Sequence, residues 1–395
     1  MKNFNFHILD TDLYKFSTSY AYMKLFPQAE CTFKFVDRNR IPRTKVFLNR
    51  YKQALKMLSF AKGIDEYQYD WLCKKVPFIP SHYWEWLSSF YFDHTKVNAY
   101  LDDDKVLNVE VTDKCYKASL YEIPCMYLVT EVTNENAEVD EKETLRRLLA
   151  KIEMANEAGM PFAEFGTRRR FTQANQEIVI HTLKEKSKTC VGTSNVYFAC
   201  KYDMTPIGTH PHEWFMFHGA QYGYKQANYL ALENWVNVYD GALGIGLTDT
   251  YGTDNFFQNF SLKQAKLFDG IRQDSGSEDE FVMKALKFYE AKKINPKTKT
   301  VIFSNGLDFP TGISLYNKHK DTFIILCCYG TDLTNDTVDY WGIRNPAENI
   351  VMKMSRCRMN ANQPWYGCVK LSDDPGKHTG DGMDVQLCKR EIGML

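Results

Sequence analysis

Three of the chain's nine histidines fall in one stretch, GTHPHEWFMFHG, from Gly208 to Gly219. His210, His212 and His218 could ligate a metal, move protons, carry a phosphoryl group or simply pack. The HxH spacing suits two rings on one metal at a strand end, as in metal-dependent hydrolases. That chemistry needs further histidines on later strands. Beyond His218 only His319 and His378 remain, and neither follows an expected strand.

Other polar clusters are built for anions. EFGTRRRF puts Arg168, Arg169 and Arg170 in succession, so at most two can point at one ligand. Guanidinium forks match phosphate and carboxylate. In GIRQDSG, Arg272 stands two residues before Asp274. The pair could be a salt bridge, or Arg272 could take an anionic ring substituent while Asp274 takes ribose hydroxyls. FSNGLD (Ser304, Asn305, Gly306) and CCYGTDLTND (Gly330, Thr331) offer backbone N–H groups beside glycine and small hydroxyls, which can cradle a phosphate. KLSDDPGKHTGD reads as a turn whose Lys370 and Lys377 could approach an anionic site.

The elements that must position these residues alternate. TDLYKFSTSYAYMKLFP reads as a helix capped at Thr11 or Asp12 and ended by Pro27. CTFKFVDR, KVLNVEVTDK and YEIPCMYLVT read as strands, and SHYWEWLSSF as a short helix. VDEKETLRRLLAKIEMANEAG is an amphipathic helix. Asp140 and Glu143 resemble a capping box, Leu145, Leu148, Leu149 and Ile152 form the stripe, and Gly159 is the stop. Strands are then expected at PFAEFG, TPIGT, GALGIGLTDT, LFDGIRQD, TVIFSNG and FIILCCYG. Helices such as GAQYGYKQANYLALENWV and EDEFVMKALKFYEAKK fit between them. VGTSNVYF reads as a helix start capped by Thr193 or Ser194. Strand–helix alternation implies parallel strands with crossover helices. The polar clusters Thr209-His210, Asp249, Arg272 to Asp274, Ser304 to Gly306 and Gly330-Thr331 all follow strands. That is the active face of a β/α barrel, and it points to an enzyme.

Composition narrows the class. At 395 residues the chain exceeds one ordinary core, so a large domain and a smaller one are expected. Lys+Arg and Asp+Glu are equal at 49 each, which provides no general field for nucleic acid. The apolar run FIILCC is too short for a bilayer. Eleven cysteines without a CxxC, and no apolar signal core near the start, favour a reduced, cytoplasmic setting with Cys327-Cys328 as buried packing.

Together, ILDTDLYKFS, EFGTRRRF, GTSNVYFACKY, PIGTHPHEW, LTDTYGTD, GIRQDSG, FSNGLD, YGTDLTND and KLSDDPGK resemble the nicotinate phosphoribosyltransferase family, in that family's order over nearly the whole chain. The resemblance implies an irregular α/β barrel of the type II phosphoribosyltransferase kind. It also implies a smaller α+β domain from both chain ends, with 1–130 plus 350–395 as the smaller domain and 131–349 as the barrel. A homodimer with sites near its interface is implied as well. The implied reaction joins nicotinate to phosphoribosyl pyrophosphate, coupled to ATP hydrolysis, with Mg²⁺ required and no metal set supplied by protein alone. Carried over residue by residue, Tyr14 would stack on the pyridine ring, and Thr209 and Arg272 would contact nicotinate. Thr331 would hold the 5-phosphate beside Ser304, Asn305, Gly306 and Gly330. Arg168 and Arg169 would share that anionic site. Asp249 and Asp274 would face ribose or Mg²⁺, with Asp274 catalytic, and His212 would be the phosphorylated residue. His210 is an extra histidine against the family pattern. A nicotinamide-using relative would share the fold and the phosphate sites.

Overall fold

The computed structural model describes residues 5–374 and 377–395. Two sheets position everything that follows. The first is antiparallel and uses both chain ends. It holds β1 (Glu30–Asp37), β2 (Val97–Leu101), β3 (Leu107–Lys114), β10 (Ile350–Arg358) and β11 (Tyr366–Gly367), in the order β11-β10-β1-β3-β2. The second is parallel: β4 (Phe162–Glu164), β5 (Cys190–Thr193), β6 (Ile245–Leu247), β7 (Gly270–Gln273), β8 (Thr300–Phe303) and β9 (Ile324–Tyr329). Its order is β5-β4-β9-β8-β7-β6, so the last strand returns to pair with the first. Crossover helices fill the connections, and the result is the α/β architecture expected from the alternation.

Close strand approach is set locally. A Cβ at Gly270 would lie 2.0 Å from the Thr300 carbonyl oxygen, so only glycine lets β7 meet β8 there. The long helix Glu141–Ala158 is capped as expected. Asp140 accepts from the N–H groups of Lys142 and Glu143, and Gly159 closes the end at φ 62°. Glu143 binds Arg146 rather than completing the box. Leu148 and Ile152 are buried, whereas Leu145 and Leu149 stay 38% exposed, so the stripe is narrower than the pattern implied.

Four other expectations change. YEIPCMYLVT is no strand but the helix Glu122–Thr133, buried from Glu122 to Glu131. A helix buried all round has no amphipathic period, and Pro124 sits in the first turn, where its missing N–H costs nothing. TPIGT makes only a bridge from Pro206 to Thr193. VGTSNVYF instead contains the end of β5, and the cap of the next helix, Val196–Lys201, is Asn195. GAQYGYKQANYLALENWV is split at Gly223 (φ 85°) into His212–Tyr222 and Tyr224–Tyr239. The first helix is Leu13–Leu25, whose N-cap Asp12 makes no capping bond and instead accepts from the Ser194 hydroxyl. All eleven cysteines are free, and Cys327 and Cys328 are buried. Among the described residues no helix is long and apolar enough to cross a membrane. Pro375 and Gly376 of the expected turn lie outside the described residues.

Candidate active site

The carboxyl ends of the parallel strands open toward β1 and β10, and between the two sheets lies a cavity of about 190 Å³. A single water needs roughly 10–15 Å³ by the same measure, so this is room for a ligand rather than a packing flaw. Ten of the expected residues line it: Tyr14, Arg168, Arg169, His212, Arg272, Asp274, Ser304, Gly306, Gly330 and Thr331. Thr209, Asp249 and Asn305 are not part of the lining, but Thr209 bonds to Arg272 and Asp249 lies 3.7 Å from His212, both of which are.

Arg272 organises one end. Its Nε donates to Ser304 Oγ (2.8 Å), and its two terminal nitrogens donate to Thr209 Oγ1 (2.6 Å) and Asp274 Oδ1 (2.8 Å). A guanidinium has five N–H groups, so one on each terminal nitrogen is left for a ligand. Burial pushes the Asp274 carboxyl up, but the adjacent Arg272 guanidinium and His212 hold it well below the usual range. Gly208 lets the Thr209 loop press on the first helix, since a Cβ there would come within 3.1 Å of the Tyr14 nitrogen.

His212, the first residue of its helix, is the hub. Its Nδ1 lies 3.0 Å from Thr250 Oγ1. Its Nε2 lies 3.0 Å from Asp274 Oδ2 and 2.9 Å from Lys370 Nζ. Burial and the Lys370 ammonium lower its pKa, against the pull of Asp249 and Asp274. A neutral ring that donates from Nδ1 to Thr250 keeps the Nε2 lone pair for Lys370 or for an incoming electrophile. Lys370 also reaches Asp249 (3.1 Å), so the turn segment left open by sequence does supply a cation to the site. Lys377 does not; it is exposed on Asp374. Asp373 and Asp374 strap the Asp249 and Asp274 loops together, accepting from the backbone N–H groups of Thr253 and Gly276.

The other two histidines are packing. His210 is fully buried with neither ring nitrogen bonded, edge-on to Trp235 at 4.5 Å, and burial drives its pKa down to about 3. His218 Nδ1 donates to the Trp214 carbonyl and its Nε2 accepts from the Asn234 amide, and burial lowers its pKa to about 4. The two rings of the HxH pair therefore do not share a metal. The three arginines divide as their spacing required. Arg168 and Arg169 face the cavity, while Arg170 turns into the core, bidentate on Asp10 at 2.7 and 2.9 Å and 4.2 Å from the Tyr127 ring centre.

Sequence reasoning missed Lys353, Asp12 and Glu122, which also line the cavity. Lys353 comes from β10, a strand with no post-strand motif to flag it. Burial, then the neighbouring Lys370, Arg38 and Arg168, push its pKa down to about 7. Burial and the same kind of crowding from Arg168 and Arg38 bring Arg169 down to about 10. Arg168, Arg169 and Lys353 crowd one another in the cavity, and a polyanionic ligand would relieve that repulsion.

Comparison with known proteins identifies the family and the fold. The sequence model of the nicotinate phosphoribosyltransferase (NAPRTase) family matches residues 160–393, and that of its N-terminal domain matches 9–130. The nicotinate phosphoribosyltransferase of Desulforapulum autotrophicum is 37% identical over 392 residues, covering 96% of this chain and 97% of its own. Among solved structures, that of nicotinate phosphoribosyltransferase from Porphyromonas gingivalis superposes with a TM-score of 0.96 at 39% identity, covering 99% of this chain and all of the other. The Vibrio cholerae structure gives 0.91 at 29% identity, covering 98% and 93%. The fold is that of a phosphoribosyl-transferring enzyme. The chain belongs to the nicotinate phosphoribosyltransferase family.

Proposed function

We propose that this protein joins nicotinate to phosphoribosyl pyrophosphate, releasing nicotinate mononucleotide and pyrophosphate, with ATP hydrolysis coupled through a phosphohistidine at His212. The observation that carries this reading is the cavity itself: a buried guanidinium with two spare N–H groups beside a cluster of mutually repelling cations. Nicotinate offers one carboxylate for the first, and the phosphoribosyl donor offers phosphates for the second.

In this reading Tyr14 stacks on the pyridine ring and Arg272, braced by Thr209, forks onto the carboxylate. The ring nitrogen attacks C1 of ribose, the C1–oxygen bond breaks, and the electron pair leaves with pyrophosphate. The transition state has oxocarbenium character, so positioning and charge carry the rate. Asp274 faces the ribose, Lys353 takes the leaving phosphates, and Thr331 with Ser304, Gly306 and Gly330 holds the 5-phosphate in the anionic site shared by Arg168 and Arg169. His212 Nε2 attacks the γ-phosphorus of ATP, ADP departs, and later hydrolysis returns the free ring.

A divalent cation fits the same residues. Asp249 Oδ1 is buried with no hydrogen-bond partner, and it lies with Asp274 and His212 in a cluster whose ligand atoms are within 4.8 Å of one another. Carboxylate oxygens suit Mg²⁺, so Asp249 and Asp274 would hold it together with substrate oxygens. When bound it neutralises phosphate charge and stabilises the leaving pyrophosphate.

The antiparallel sheet from both chain ends supports a smaller domain of 1–130 plus 350–395 and a barrel of 131–349. A cytoplasmic homodimer completes the proposal. The experiment that tests the coupling is His212→Asn with γ-labelled ATP. The variant takes up no acid-labile label and loses ATP stimulation, yet makes mononucleotide slowly at high substrate. Label retained in His212→Asn and lost in His210→Asn overturns the assignment.

A further inference from the structure

Beneath the ring end of the cavity lies a charge cluster that the reaction above does not use. Lys15, fully buried, forms ion pairs with both Glu122 and Glu213, and the Ser119 hydroxyl donates to Glu213. Both carboxylates belong to cavity-lining residues. Two carboxylates share the one ammonium, and burial pushes the Glu213 carboxyl up to about 7 against the pull of Lys15. An apolar core of the same volume would be at least as stable, so stability alone gives no reason for the cluster.

Its place in the chain gives one. Lys15 follows Tyr14 in the helix Leu13–Leu25, and Glu213 follows His212 at the start of the helix His212–Tyr222. Neighbouring Cα atoms are fixed about 3.8 Å apart, so each charge moves with the site residue beside it. The Lys15 ammonium also sits 5.1 Å from the Tyr14 ring centre, and the Tyr22 hydroxyl of the same helix donates to the Glu213 carbonyl at 3.3 Å. The two helices are thus tied at the residue next to the ring-stacking tyrosine and the residue next to the histidine. We infer that the Lys15–Glu213 pair is the positioning link through which phosphorylation of His212 changes the affinity for the pyridine ring at Tyr14.

The inference rests on the proposed roles of those two residues. A phosphoryl group brings a charge of about −1.5 to −2. Nε2 itself lies 3.0 Å from Asp274, 3.7 Å from Asp249 and 2.9 Å from Lys370, so the added charge pushes on two carboxylates and pulls on one ammonium. That rearrangement shifts His212 and the first turn of its helix. Glu213 goes with that turn, and its bond to Lys15 passes the movement to Tyr14.

The test compares the KM for nicotinate with and without ATP in each protein, together with label uptake from γ-labelled ATP. Coupling between sites is typically about 5- to 150-fold in affinity, so the wild-type ratio should fall in that range. Glu213→Gln should still take up label, but its ratio should collapse to about one. Glu122→Gln, which leaves the Lys15–Glu213 pair in place, should keep the wild-type ratio. Lys15→Met/Glu213→Met removes both charges at similar volume and is read in the same way, which covers a Glu213→Gln chain that does not fold. A wild-type ratio retained in either folded, labelled variant overturns the link. Absence of label and of any ATP effect in the wild type would instead sink the phosphohistidine reading, and the inference would fall with it.

Discussion

The guanidinium of Arg272 shows what residue type and position can and cannot convey. Its place before Asp274 at a strand end marked it for an anion, but only the structure shows that Ser304, Thr209 and Asp274 already occupy three of its N–H groups. Arg272→Ala removes a charged hydrogen bond worth roughly 1.5–3 kcal/mol, so kcat/KM for nicotinate should fall about ten- to hundred-fold. An effect confined to the phosphoribosyl pyrophosphate KM would place Arg272 in the other subsite. Asp274 stood out because it directly follows the apolar strand β7, and His212 because three of nine histidines share one short stretch. Lys353 was not: one lysine in IVMKMSRC reads as the solvent side of an edge strand. Its place in the cavity depends on β10 pairing with β1 over the barrel mouth, a contact that joins the two ends of the chain.

At the scale of elements, local chemistry was readable wherever a period or a cap existed. Asp140 with Gly159 bounded the helix Glu141–Ala158 correctly. Asp140→Ala removes the acceptor for two N–H groups and should cost about 1 kcal/mol, seen as a lowered midpoint in urea unfolding with kinetics unchanged. An unchanged midpoint would mean that water replaces the cap. Failures came where tertiary burial removed the signal. The helix Glu122–Thr133 is buried on every side, and a mostly apolar stretch without a helical period looks like a buried strand. The break at Gly223 was hidden because a single glycine inside a helical pattern is usually tolerated.

For the whole molecule, a neutral net charge conceals a strong local field. Equal counts of 49 acids and 49 bases excluded a general polyanion surface, but Arg38, Arg168, Arg169, Lys353 and Lys370 still converge on one cavity. Lys353 is the sensitive member. Burial, and then crowding by Lys370, Arg38 and Arg168, lowers its free-state pKa to about 7, and a bound polyanion favours its charged form, so binding takes up a proton above that pH. Affinity for phosphoribosyl pyrophosphate should therefore be strongest below about pH 7 and weaken as pH rises toward 9. Lys353→Met should bind more weakly and flatten that slope. A wild-type affinity that rises over the same interval would contradict the assignment.

The central claim is the reaction, and a single assay decides it: mononucleotide formed from labelled nicotinate and phosphoribosyl pyrophosphate with Mg²⁺, with and without ATP, alongside nicotinamide as competing substrate. The cavity described here predicts nicotinate mononucleotide, formed faster when ATP is present, and far slower turnover of nicotinamide, which has no carboxylate for Arg272. No mononucleotide from nicotinate, or faster turnover of nicotinamide, would contradict it.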